Sequence, residues 1–298
     1  MTLESEDEMK QAWEIGSYSE FAKSYLPMAG RLVEATAVDS GDRILDVGCG
    51  TGNVAITAAR HGAQVTGLDI TPTMLERAKT NAEIAGVDEI AWHEGNAVDL
   101  PFGENTFDVV LSNLGHMYAD PAASAASELV RVTKPGGQIG FTSWTPTSLF
   151  PIIAGLVLTY LPPRAHPEFS EPPFTWGDQN MVEQWLDGSV ENLSFTTETL
   201  EYPTLSPGHF WQEQTEQSGL FITFLDEIEE QSDLRAEVIE TVEPYFNSRE
   251  NAVELEYLLT TASVTPPETT SERQKERPND GKKTKPGQPQ PDRLWHPN

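Results

Sequence analysis

The sequence predicts a doubly wound α/β domain on a mainly parallel sheet, and three observations carry the prediction. Five short apolar runs alternate with helix-compatible stretches across residues 44–144. The first run, Ile44-Leu45-Asp46-Val47, enters a turn containing Gly48, Gly50 and Gly52 and leaves it into helix-forming sequence. The second run ends in Asp69, 69 − 46 = 23 residues after Asp46, the interval that one strand-helix-strand unit takes. Parallel strands joined through helices require right-handed crossovers, which cover the sheet on both faces.

The turn has the form of a nucleoside-binding loop. Its glycines remove Cβ atoms where a ligand would lie against the main chain, and the following helix points free N–H groups at that ligand. The spacing is GxGxG, not the GxGxxG that seats a pyrophosphate, and the Asp46 carboxylate would repel a pyrophosphate. A ligand with a cationic or hydrogen-bond-donating head suits the site, which argues against a nicotinamide-dependent oxidoreductase.

The run LDVGCGTG resembles motif I of the class I S-adenosylmethionine-dependent methyltransferases. The resemblance extends through VTGLDIT, EGNAVDLPFGENTFDVV and LVRVTKPGG in the family's order, covering about the first half of the chain. A looser likeness to small-molecule, quinone C-methylase-like members continues through Phe141-Thr-Ser-Trp144 and Phe174-Thr-Trp176-Gly177. The resemblance implies a seven-stranded sheet whose last strand is antiparallel, a helical insertion after strand 5, and S-adenosylmethionine as methyl donor. It implies that Asp46 contacts the methionine end of that donor, directly or through water, beside Gly48 and Gly50.

Along the chain, residues 9–38 read as helical, with Trp13, Tyr18, Phe21 and Tyr25 near one face until Pro27 interrupts. A second helix, 28–37, leads to the first strand. These aromatics fit core packing or, by resemblance, a lid over the ligands, for which Tyr18 is the candidate. Residues 54–60 form a short helix closed by Gly62. Strand 64–68 delivers Asp69, placed to accept from both ribose hydroxyls, with Ile70 beside it. Thr71 as N-cap and Pro72 at N1 open a helix that Gly86 stops; Met74, one turn in, covers the adenine or fills the core.

Strand 90–93 precedes Glu94-Gly95-Asn96-Ala97, where the family commonly has Asp-Ala for the adenine amino group. Asn96 replaces the acid with a neutral acceptor and so loses the charge-assisted part of that bond. Strand 109–111 follows a polar loop and ends near Asn113, a candidate cofactor contact, and His116, a candidate general base or a packed, hydrogen-bonded residue. A helix from Asp120-Pro121 to 132 is broken by Lys134-Pro-Gly-Gly before strand 138–144. Prolines then bracket an apolar helix, 152–161, and Thr175-Trp176-Gly177-Asp178 opens another. Residues 193–202 and 253–264 read as strands and 207–219 as helix. The organisation expected is a helical lid at 1–40, a methyltransferase domain at 41–265 with an insertion at about 145–191, and a disordered tail at 266–298.

Composition narrows the partners. Against 47 Asp and Glu stand 19 Lys and Arg, a net charge of −28, which argues against nucleic acid as a partner, though not against protein, because phosphates need neutralising cations. Acidity spread along the chain suggests a halophilic source. The single cysteine, Cys49, allows no intrachain disulfide and reads as a small buried filler. No CxxC or HxxxH-type pair supports a metal site. The longest apolar run, 149–161, falls short of the ~20 residues a membrane span needs and carries Pro151; with no signal-peptide pattern at the start, a cytoplasmic protein is expected. The function expected is methyl transfer to a small, apolar or aromatic acceptor, the alternative being a non-catalytic S-adenosylmethionine-binding protein on the same fold. The residues leave open the oligomeric state and which atom is methylated.

Overall fold

The computed structural model describes residues 6–87 and 89–266, side chains of residues 6, 18 and 19 excepted. In chain order the elements are α1 (Glu6–Glu14), α2 (Tyr18–Phe21), α3 (Leu26–Ala35), β1 (Arg43–Val47), α4 (Asn53–Arg60), β2 (Gln64–Asp69), α5 (Pro72–Ala85), β3 (Ala91–Glu94), β4 (Phe107–Asn113) and α6 (Ala122–Val132). There follow β5 (Thr133–Trp144), α7 (Leu149–Tyr160), α8 (Gln179–Leu186), β6 (Val190–Pro203), α9 (Pro207–Gln217), α10 (Gly219–Leu225), α11 (Gln231–Val242), β7 (Phe246–Asn247) and β8 (Ala252–Val264).

The strands form one sheet in the order β3-β2-β1-β4-β5-β8-β6, with β7 paired to β8. Pairings among β1 to β5 are parallel, while β8 runs antiparallel to both β5 and β6. The doubly wound sheet with an antiparallel last strand is therefore present, with the two-residue β7 added to the seven expected strands. Strands β1 and β4 are almost wholly buried, as a parallel sheet covered on both faces requires. Helices α3, α4 and α5 pack in series, and α6 packs on α8.

Three local expectations are corrected. Pro27 does not interrupt a helix but occupies the first turn of α3, where its missing N–H costs nothing. The break falls earlier, at Gly16, whose φ is +81°. Lys134-Pro-Gly-Gly is not a turn before the fifth strand: β5 begins at Thr133, which pairs with Phe107, and the next pair is Gln138 with Val109, so the four residues bulge out within the strand. Residues 207–219 are not one helix, because α9 ends at Gln217 and α10 starts at Gly219.

Helix α1 packs on α10, which packs on α9. Ser17 N donates to Gln217 O at 3.2 Å. A Cβ on Gly16 would stand 2.6 Å from that same carbonyl oxygen, and one on Gly219 would collide with the Ala12 oxygen. Two glycines thus let α1 lie backbone to backbone on the α9–α10 junction. The expected tail, residues 266–298, lies outside the described residues beyond its first position.

Candidate active site

The site forms where β1, β2, β3 and β4 end on the same edge of the sheet, the edge at which open α/β sheets bind ligands. The glycine turn takes left-handed φ at Gly48, Gly50 and Gly52: +64°, +50° and +88°. Gly48 stacks on Gly115, and a Cβ on Gly48 would stand 2.8 Å from the Gly115 Cα. Side chains are excluded from both positions, and the β1 and β4 turns close on each other through main chain alone.

Two acids tie this edge together. Asp69 Oδ2 accepts from Gly50 N at 2.7 Å and Oδ1 from Thr71 N at 2.9 Å, so one carboxylate links the turns after β1 and β2. Asp46 Oδ2 accepts from Ala55 N at 2.9 Å, capping the first turn of α4 from the preceding strand. Its Oδ1 is buried with no partner. Burial is the chief cause that pushes the Asp46 carboxyl up to about 8, with the Asp69 charge adding to it, and burial raises Asp69 as well. A cation placed at Asp46 Oδ1 would relieve that desolvation, so the donor set fits a ligand with an ammonium group.

Asn96 Oδ1 accepts from Val98 N at 3.1 Å. Asn113 Oδ1 accepts from Thr142 Oγ1 at 2.6 Å, which fixes the amide at the end of β4. A cavity of about 850 Å³ collects these groups: Gly48, Gly50, Asp69, Ile70, Asn96, Ala97 and Asn113 all line it, with Met74. Asp46 lines a cleft of about 30 Å³ that shares Gly48, Gly50 and Asn113 with the large cavity. The Tyr18 side chain lies outside the described residues.

Much of the remaining wall is aromatic, with Asp120, Glu168, Gln214 and Ser218 also on it. Trp13 from α1, Trp144 from β5, Phe150 from α7, Phe174 from the turn before α8, and Phe221 and Phe224 from α10 line it. Trp13 meets Tyr118, also on the wall, edge to face with ring centroids 5.0 Å apart. Among the described residues no Lys or Arg lines this cavity.

His116 and Trp176 do not line it, and of the two readings of His116 the packed, hydrogen-bonded one describes its surroundings. His116 is fully buried, with Nδ1 3.1 Å from Ser112 Oγ and Nε2 3.2 Å from Ser143 Oγ. Its ring packs against Phe141 and, edge to face at 4.5 Å, against Trp176, itself fully buried. Burial pushes the imidazole down to about 3, so it stays neutral and engaged, away from any bound acceptor. Gly115 and the aromatics of α10 were not anticipated. A glycine four residues past the expected strand 109–111 was the available signal for the first, and the Phe221/Phe224 spacing of three for the second.

The family profile described as "Methyltransferase domain" matches residues 44–137, the stretch from β1 into β5. An uncharacterized protein of Mycobacterium tuberculosis strain H37Rv is 33% identical over 259 residues, spanning 85% of this chain and 93% of that one. Aklanonic acid methyltransferase DauC of Streptomyces sp. strain C5 is 31% identical over 193 residues, 61% of this chain and 84% of the relative. A candidate methyltransferase from Bacillus halodurans C-125, known from its crystal structure, superposes with a TM-score of 0.53 at 20% identity, over 80% of this chain and 99% of that one. That likeness concerns the fold.

Proposed function

Since the chain belongs to the class I S-adenosylmethionine-dependent methyltransferases and S-adenosylmethionine is its methyl donor, we propose that the acceptor is a small, apolar or aromatic molecule held in the aromatic half of the cavity. One observation carries this reading: a single cavity has hydrogen-bonding groups of the strand ends on one side and aromatic rings on the other. The similarity to aklanonic acid methyltransferase supports a small-molecule acceptor.

On the donor side, the reading gives Asp69 the ribose hydroxyls and Asn96 with Ala97 the adenine edge. Ile70 packs beside the base, Gly48 and Gly50 let the backbone approach, and Asp46 Oδ1 and Asn113 meet the methionine end. When bound, the donor supplies a methyl already activated on a sulfonium. This chain's residues then have to align the nucleophile and exclude water; alignment alone is worth ~7–11 kcal/mol of a barrier. Trp13 and the α10 aromatics line the cavity, which supports a lid role for the N-terminal segment together with α10, over a methyltransferase domain at 41–265. Among the described residues no helix is long and apolar enough to cross a membrane. The excess of acids over bases fits a halophilic protein; stability that improves when salt is removed would contradict it.

The test is incubation of the purified protein with methyl-labelled S-adenosylmethionine and fractionated small-molecule extract. The expected result is label in an apolar product heavier by one methyl. Tight S-adenosylhomocysteine binding with label transferred to no small molecule would contradict the acceptor assignment.

A further inference from the structure

The histidine on the cavity wall is His166, not His116. His166 sits at the exposed mouth, after the single helical turn Pro163–Ala165 that follows α7. Its Nε2 lies 3.2 Å from the Leu161 carbonyl oxygen. A carbonyl only accepts, so Nε2 carries the hydrogen, and in the neutral ring Nδ1 is a bare lone pair.

The segment carrying this ring is fixed at two places. Ser170 donates from N to both oxygens of Asp120, at 3.1 and 3.2 Å, and from Oγ at 3.2 Å. Arg164 Nη2 reaches Glu227 Oε2 at 2.9 Å, past the end of α10. Asp120, just before α6, and Glu168 line the same cavity as His166. An oriented imidazole, one nitrogen committed to a carbonyl and the other bare, is the arrangement of a general base. Its exposure gives the proton a way to solvent, which the buried His116 lacks.

We propose that His166 is the proton acceptor of this cavity and that the methyl acceptor presents a hydroxyl of phenol or enol type. The inference rests on the methyltransferase reading above. As the oxygen–carbon bond forms, the carbon–sulfur bond breaks and sulfur keeps that electron pair as a neutral thioether. The hydroxyl proton passes to His166 Nδ1 and from the imidazolium to water, so the positive charge of the donor leaves as one proton.

The test uses the full chain saturated with S-adenosylhomocysteine and two probes, 2-naphthol and naphthalene, titrated into wild type and His166→Leu. Wild type is expected to bind 2-naphthol about tenfold more tightly than naphthalene, the factor one good hydrogen bond gives. His166→Leu is expected to bind the two alike and S-adenosylhomocysteine as wild type does. Nitrogen-15 spectra of labelled histidine should show His166 as the Nε2–H tautomer, with its Nδ1 signal moving on addition of 2-naphthol only. Equal binding of the probes by wild type, binding of neither, a preference surviving in His166→Leu, or an Nδ1–H tautomer would overturn the assignment. Failure of S-adenosylhomocysteine to bind wild type would instead remove the methyltransferase reading, and this inference with it.

Discussion

The two halves of the cavity are built on opposite principles. The donor half is main chain and short polar side chains at the ends of β1 to β4, locked by bonds such as Asp69 to Gly50 and Asp46 to Ala55. The aromatic half is large side chains drawn from α1, β5, α7 and α10, elements far apart in sequence that meet through packing. Under the assignment proposed above, specificity for the donor rests on backbone geometry, where little variation should be tolerated. The aromatic half tolerates substitution, because rings can be exchanged with loss of area but without backbone strain.

Substitutions at the two halves should therefore separate. The largest effect is expected from Gly48→Val: a side chain there meets the Gly115 main chain and imposes φ +64° on a β-branched residue. Calorimetry should find S-adenosylhomocysteine binding lost altogether, and a folded variant that still binds would break the comparison. Asp69→Ala comes next. Removing a buried charged acceptor that also holds two backbone N–H groups should cost about 2–3 kcal/mol of S-adenosylhomocysteine affinity, on the order of 100-fold.

Asp46 should show a smaller, proton-linked effect. Its carboxyl is raised to about 8 without ligand, so near pH 7 the group is mostly protonated. A ligand ammonium at Oδ1 favours the charged form and lowers that value, so binding near pH 7 releases a proton and affinity rises as pH increases toward 8. Titrations in buffers of different ionisation enthalpy should report up to one proton released, and Asp46→Asn should abolish the release. Buffer-independent heats in wild type would mean that the free oxygen of Asp46 does not meet a cation.

The smallest effects on donor binding belong to the other side. Phe221→Ala should leave S-adenosylhomocysteine affinity within about twofold, since it removes only packing area. His116→Ala should do the same while lowering thermal stability by about 2–4 kcal/mol, because it empties a fully buried site between Phe141 and Trp176.

The same contrast decides what could be read from the sequence. Asp46, Asp69, Asn96 and Asn113 each stand at or within two residues of a strand end, so strand pattern and spacing located them. The alternation of β1 to β5 with helices was legible for the same reason. Helix α10 was not, because Gly219-Leu-Phe-Ile-Thr-Phe-Leu225 is a short apolar run with no decisive period, settled by packing on α1 through Gly219. His116 was open to two readings because its distance from the strand end is also right for a site residue; its single turn of 3₁₀ helix points the ring inward onto Ser112 and Ser143. His166 lay among prolines with no periodicity to place it, and only the folded segment brings it to the cavity.

The central claim, that the strand ends alone hold the donor, is most directly tested by amide hydrogen exchange with and without S-adenosylhomocysteine. The account predicts protection at residues 48–52, 69–71, 95–98 and 113–115, with 149–177 and 219–225 unchanged by that ligand alone. Protection concentrated in the aromatic helices, with the glycine turn exchanging as in the free protein, would contradict it.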